Sequence, residues 1–304
     1  MSISINLRKH WKIQFPILLR PHRQLLLSVT MAILILAYPI SKLTASSTNN
    51  SVNSLDLARY AAVPTPVTLT MTAGNASGLT YNHDTDTLFA VVNGPELLIE
   101  LNKDGSEKRL IELKGFDDTE GVVYLGNQRY AIIEEDRRTI ALATIGELTR
   151  WVYREDAALF SLPLTSYNNK GFEGISYDAS SDTLTIVNEK RPRAIYQVSG
   201  LITQQRSISV STPWDLEDNT LGSSDFSGVH YNADSNSLLL LSDESNKISE
   251  VTSDGQLLSE YSFNGGWLDF SDKVPQAEGI TMDNEGTLYV LSEPNLLYRI
   301  PQKS

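Results

Sequence analysis

From about residue 70 to the C-terminus the chain alternates apolar and polar positions in short runs, and no helical period of comparable strength competes. That two-residue period belongs to strands with one covered face. Five of the runs are versions of one phrase: SGLTYN (77–82), EGVVYL (120–125), EGISYD (173–178), SGVHYN (227–232) and EGITMD (278–283). Their glycines, Gly78, Gly121, Gly174, Gly228 and Gly279, stand 43, 53, 54 and 51 residues apart, the length of one four-stranded propeller blade. Each phrase leads into a second strand-like run: TLFAVVN, RYAIIEE, TLTIVNE, SLLLLSD and TLYVLSE. Third runs follow in ELLIELN, AIYQVSG, KISEVTS and LLYRIPQ, and Asp104-Gly105 and Asp254-Gly255 supply hairpin turns before a fourth.

The pattern predicts an all-β, five-bladed β-propeller over residues 67–304. Six blades are the alternative, because 146–170 is irregular enough to hide further strands. The last repeat ends after three strands, so VTLTMT (67–72) is expected to supply its outer strand and close the ring.

Adjacent strands of a blade run antiparallel, which places the start of the first and the end of the second on one face. Pairing Tyr177 with Thr183 brings Glu173 opposite Val187. By the same register Ser77, Glu120, Glu173, Ser227 and Glu278 form one column, and Asn93, Glu135, Glu189, Asp243 and Glu293 another. The seven carboxylates, Glu120, Glu135, Glu173, Glu189, Asp243, Glu278 and Glu293, are the candidate metal ligands. Gathered at a propeller axis they repel one another unless protonated or joined by a cation. Calcium, which takes about six to eight oxygens in flexible geometry, suits such a ring better than magnesium. Zinc is disfavoured: there is no cysteine, and His10, His22, His83 and His230 lack ligand spacing.

Charge adds a second theme. The formal net charge is -12, yet residues 1–45 carry six Lys/Arg and no Asp or Glu. The acidic remainder argues against a nucleic-acid partner. Leu25–Ile40 is a sixteen-residue apolar run with five of those six basic residues before it, which predicts a transmembrane or signal-anchor helix with the N-terminus inside. The organisation expected is a basic stretch and anchor over 1–45, a flexible tether over 46–66 and the propeller over 67–304. Arg137, Arg138, Lys190, Arg191 and Arg193 fall on loops beside the acids, as do Trp214 in 213–219 and Trp267 in 265–272. The basic side chains either pair with neighbouring acids or hold an anion.

TEGVVYL, RYAIIEEDR, GFEGISYD with IVNEKRPR, and AEGITMD with LYVLSEPN resemble the SdiA-regulated (YjiK-like) family of bacterial proteins over about Thr68 to Ile300. The resemblance implies a five-bladed propeller distantly similar to NHL-repeat proteins, with calcium at a site typical of the family and no established catalysis. Ser77 and Ser227, where other repeats have Glu, make equal roles for all blades unexpected. The expected protein is therefore a calcium-binding, non-catalytic module, single-pass in the bacterial cytoplasmic membrane with its propeller on the periplasmic or extracytoplasmic side. Its expected partners are the membrane and an extracytoplasmic protein or small anionic ligand. The alternative is a calcium-dependent hydrolase of a phosphoester or lactone.

Overall fold

A computed structural model of the chain describes residues 2–5, 53–162, 171–190, 193–205, 207–214, 216, 221–263 and 274–303. Residues 53–303 form five antiparallel sheets arranged as a ring. In order, their inner strands are Ala76–Asn82, Thr119–Tyr124, Phe172–Asp178, Gly228–Asn232 and Ala277–Met282. Each lies against the next, and the last lies against the first.

Closure comes from the N-terminal side, where Val67–Thr68 pairs antiparallel with Leu296–Leu297 as the outer strand of blade five. Only these two residues of 67–72 are strand. Among the described residues of 146–170 no sixth blade forms. Ala158–Ser161 is the outer strand of blade two, and Trp151–Tyr153 adds in parallel to the outer strand of blade one, Glu107–Lys114. Ser2–Ile5 pairs in parallel with Ser207–Ser211 of blade three.

The second strands are the most buried, throughout in Thr87–Val92 and Ser237–Ser242 and in all but the first residue of Arg129–Glu134 and Thr183–Asn188. They sit between two neighbouring sheets, and near-continuous apolar runs result. Outer strands have one covered face, so Ser207–Ser211 alternates exposed and buried. The core is a set of wedges between blades: Phe89, Leu98 and Tyr130 fill that between blades one and two, and Leu69, Tyr289 and Leu291 help close the ring between five and one.

Five glycines set the tightness of the centre. A Cβ on Gly78 would stand 2.6 Å from the Glu120 carbonyl oxygen, and one on Gly121 2.7 Å from that of Glu173. Gly174, Gly228 and Gly279 meet the next blade's backbone at 2.8, 2.9 and 2.8 Å. The repeat therefore carries glycine because the inner strands touch main chain to main chain. At this level the axial void is about 10 Å³, no larger than one water needs.

Part of the expected tether is packed. The Glu250 carboxylate accepts from Leu55 N at 2.8 Å and Ser54 Oγ at 2.7 Å, and Leu57 and Tyr60 are fully buried between blades four and five.

The membrane expectation is corrected. No helix among the described residues is long and apolar enough to cross a membrane; the helical turns there are Leu57–Arg59 and Arg154–Asp156, of three residues each. Leu25–Ile40, on which the span rested, lies outside the described residues. The anchor helix, the single-pass placement at the cytoplasmic membrane and the membrane as a partner are accordingly withdrawn, and the fold class is the five-bladed propeller.

Candidate metal centre

The register at the mouth of the ring differs by one residue from the expected pairing. Tyr177 pairs with Leu184 and Gly174 with Val187, while the ladder skips Glu173. The same bulge skips Ser77, Glu120 and Glu278. Bulges re-aim a side chain at the end of a strand, and these turn the first column out of the ladder just where the inner strands meet.

A second device ties the other column to it. Asn93 N donates to Asn75 O at 3.0 Å, Glu135 N to Asp118 O at 2.9 Å and Glu293 N to Gln276 O at 3.0 Å. The three acceptor residues, each two positions before the bulged one, have φ of 55, 58 and 32°. Asn and Asp tolerate that left-handed backbone.

The most compact group is Asp118, Glu120 and Glu135, with one carboxylate oxygen of each within 4.8 Å of the others. Asn93 Nδ2 donates to Glu120 Oε1 at 2.6 Å and Asp118 Oδ1 at 3.0 Å. Gly171 N donates to Glu135 Oε1 at 2.6 Å, and Asp136 N to Asp118 Oδ2 at 3.0 Å. Across the ring, Asp243 accepts from Ala277 N at 3.2 Å.

Crowding shows in the proton affinities. Burial, with the Glu135 and Asp118 charges, pushes Glu120 to about 7 against hydrogen bonds from Asn93 and Ser77. Burial with Glu293, Asp243, Glu120 and Glu189 pushes Glu278 to about 9. Burial and the charges of Glu135, Glu120, Glu189 and Glu278 hold Glu173 well above the carboxylate range. Glu120, Glu173 and Glu278 thus feel one another and the charges of Glu135, Glu189, Asp243 and Glu293 between them.

The basic side chains face other duties. Arg137 contacts Glu134 at 2.6 Å and Asp117 at 3.2 Å. Lys190 lies 3.0 Å from Glu189 and 2.5 Å from Glu244. The Arg193 guanidinium sits over the Phe226 ring at 5.3 Å and donates to Leu216 O. Trp214 Nε1 donates to Ser253 O at 2.7 Å, and its ring packs under Gly255. Arg191, Trp267 and most of 215–220 lie outside the described residues. Of the two alternatives for the basic side chains, pairing with neighbouring acids is the one seen at Arg137 and Lys190, while Arg193 packs on Phe226.

Asp118 was not among the predicted ligands. Its column, Asn75, Asp118, Gly171, Asp225 and Gln276, holds one acid at the bulge and another, Asp225, that accepts the Ser242 hydroxyl. The available signal was a turn-forming residue, Asn, Asp or Gly, two positions before four of the five Glu/Ser-Gly pairs. The donor set is all hard oxygen, and it fits a divalent cation.

The family profile described as SdiA-regulated matches residues 53–301. Among solved structures, a luciferin-regenerating enzyme aligns with TM-score 0.50 and 12% identity over 79% of this chain and 98% of its own. A gluconolactonase from Xanthomonas campestris aligns with TM-score 0.48 and 12% identity over 78% and 89%. A streptogramin B lyase aligns with TM-score 0.44 and 16% identity over 79% and 68%. Likenesses at such identities show the fold alone. The structure aligned at TM-score 0.50 is named as an enzyme, and the expectation that this propeller is non-catalytic is withdrawn.

Proposed function

This chain belongs to the SdiA-regulated family, and we propose that it is a calcium-dependent hydrolase of a neutral cyclic ester, a lactone, acting at the carboxylate mouth of the ring. The observation that carries this reading is the Asp118–Glu120–Glu135 group beside acids held protonated by burial and mutual repulsion. Asp118, Glu120 and Glu135 would hold the ion. When bound, it supplies Lewis-acid polarisation of the ester carbonyl.

The chain's own residues supply the proton transfers. Glu189, oriented by Lys190, takes a proton from water as its oxygen adds to the carbonyl carbon. Glu278, which keeps a proton at neutral pH, gives it to the departing ring oxygen as the C–O bond breaks. The products are a carboxylic acid and an alcohol. Burial and the neighbouring charges raise the proton affinity of Glu278, which suits it to the acid's part. A lactone is preferred to a phosphoester because the acidic mouth repels anions, while Arg137, Lys190 and Arg193 are engaged elsewhere.

Calcium titrated into chelator-treated protein at pH 7 should release protons and switch on hydrolysis of γ- and δ-lactones in a pH-stat. Asp118→Asn should weaken calcium binding by roughly 10- to 100-fold. Absence of both proton release and calcium-dependent turnover across lactones would sink the proposal, and turnover of phosphoesters alone would reassign the substrate.

A further inference from the structure

The face of the ring opposite the carboxylates carries a bowl of about 860 Å³, within the range of small-molecule sites. The glycine ring, with its void of about 10 Å³, separates it from the metal centre, so a molecule in one does not reach the other.

Two positions after each glycine, the inner strands present Thr80, Val123, Ser176, His230 and Thr281; all five line the bowl. Three of them join neighbouring blades. Thr80 Oγ1 accepts from Tyr124 N at 3.0 Å, Ser176 Oγ from Tyr231 N at 2.7 Å and Thr281 Oγ1 from Tyr81 N at 3.1 Å. Each hydroxyl thus has its oxygen committed to main chain, while its proton has no acceptor among the described residues. A hydroxyl carries one donor as well as acceptor sites; these three can each donate to a ligand. His230 adds an imidazole that burial keeps neutral, with a pKa lowered to about 4.

Around this floor the repeats place Tyr81, Tyr124, Tyr177 and Tyr231, with Met282 in blade five. Their hydroxyls are anchored outward: Tyr81 to Asp86 at 2.7 Å, Tyr177 to Asp182 at 3.1 Å, Tyr231 to Asn236 at 3.0 Å, and Tyr124 to Asp84. The wall is therefore aromatic and fixed. Its rim bears Asp234 and Glu285, both exposed.

We infer that the bowl is a second binding site, for a neutral hydroxyl-bearing ring of the sugar class. The floor offers donors without formal charge, so the entering end of the ligand must be uncharged and rich in acceptors. Fixed tyrosines cover the apolar surface of such a ring, and the acidic rim accepts from hydroxyls that stay in water. That rim disfavours anions.

Saturation-transfer NMR on the full chain tests this with glucose, galactose, N-acetylglucosamine and maltose, each at about 10 mM, a concentration that detects even millimolar affinity. Choline and acetate serve as cationic and anionic probes. Transfer to at least one sugar is expected. His230→Leu should weaken it about tenfold through the lost hydrogen bond, and Ala233→Trp, at an exposed lining position, should abolish it by filling the mouth. Should His230→Leu fail to fold, Ala233→Trp decides alone. No transfer to any sugar, transfer undiminished in Ala233→Trp, or binding of choline or acetate in place of sugars overturns the inference.

Discussion

Replacing Gly78 by Ala puts the tightness of the ring to a quantitative test. The added methyl would stand 2.6 Å from the Glu120 carbonyl oxygen, 2.9 Å from the Gly121 Cα and 3.0 Å from Val91 Cγ1. Comfortable contact begins at about 3.5 Å. The first two atoms are main chain, so no rotamer change relieves them and two blades must part by several tenths of an ångström. Overpacking of this kind costs about 1–3 kcal/mol, against which the stiffer unfolded chain returns about 0.4–1 kcal/mol. A net loss of about 1–2 kcal/mol corresponds to a fall of roughly 2–8 °C in Tm for a chain of this size. Gly74 is the internal control: its added Cβ meets only Pro294 Cβ, at 3.8 Å. Gly74→Ala should therefore melt at or slightly above the wild type. Because the displaced backbone belongs to Glu120, calcium affinity should fall in Gly78→Ala and not in Gly74→Ala. Circular-dichroism melts in chelator, with calorimetric calcium titration, measure both effects. A Gly78→Ala protein as stable as wild type, or a Gly74→Ala protein equally weakened, would refute the reasoning.

In chelator the stability should fall as pH rises from about 4.5, because native Glu120 and Glu278 hold protons that the unfolded chain releases. Each contributes a slope of about 1.4 kcal/mol per pH unit at most, ending near 7 for Glu120 and near 9 for Glu278. Glu278→Gln should flatten the part above pH 7; urea unfolding at several pH values checks this, and a level wild-type profile would contradict it. Leu57→Ala should cost about 2–5 kcal/mol in the same assay, since the side chain is fully buried. A loss under about 0.5 kcal/mol, the size of a surface effect, would show that residues 53–62 are not an integral part of the domain.

The blade repeat was legible because a strand between two sheets imposes its pattern locally: SLLLLSD and TLFAVVN read as buried strands without any knowledge of their neighbours. The ring closure was legible too, since an unpaired edge demands a partner and Val67–Thr68 was the available one. Leu57 and Tyr60 were harder to place. They sit in a Ser/Asn/Ala-rich stretch whose burial depends on Glu250 and Ser259, about two hundred residues away.

The sequence by itself determined five blades and the glycine column, because both repeat at blade spacing, and the outer-strand closure, because an unpaired edge demands a partner. Only the tertiary structure decided that a bulge at Glu120, Glu173 and Glu278 re-aims those side chains, that Asp118 joins Glu120 and Glu135, and that Arg137 and Lys190 pair with acids. Pattern fixes which residues share a face. Register, backbone handedness and the packing of one blade on the next fix which atoms meet, and those depend on contacts made across the ring.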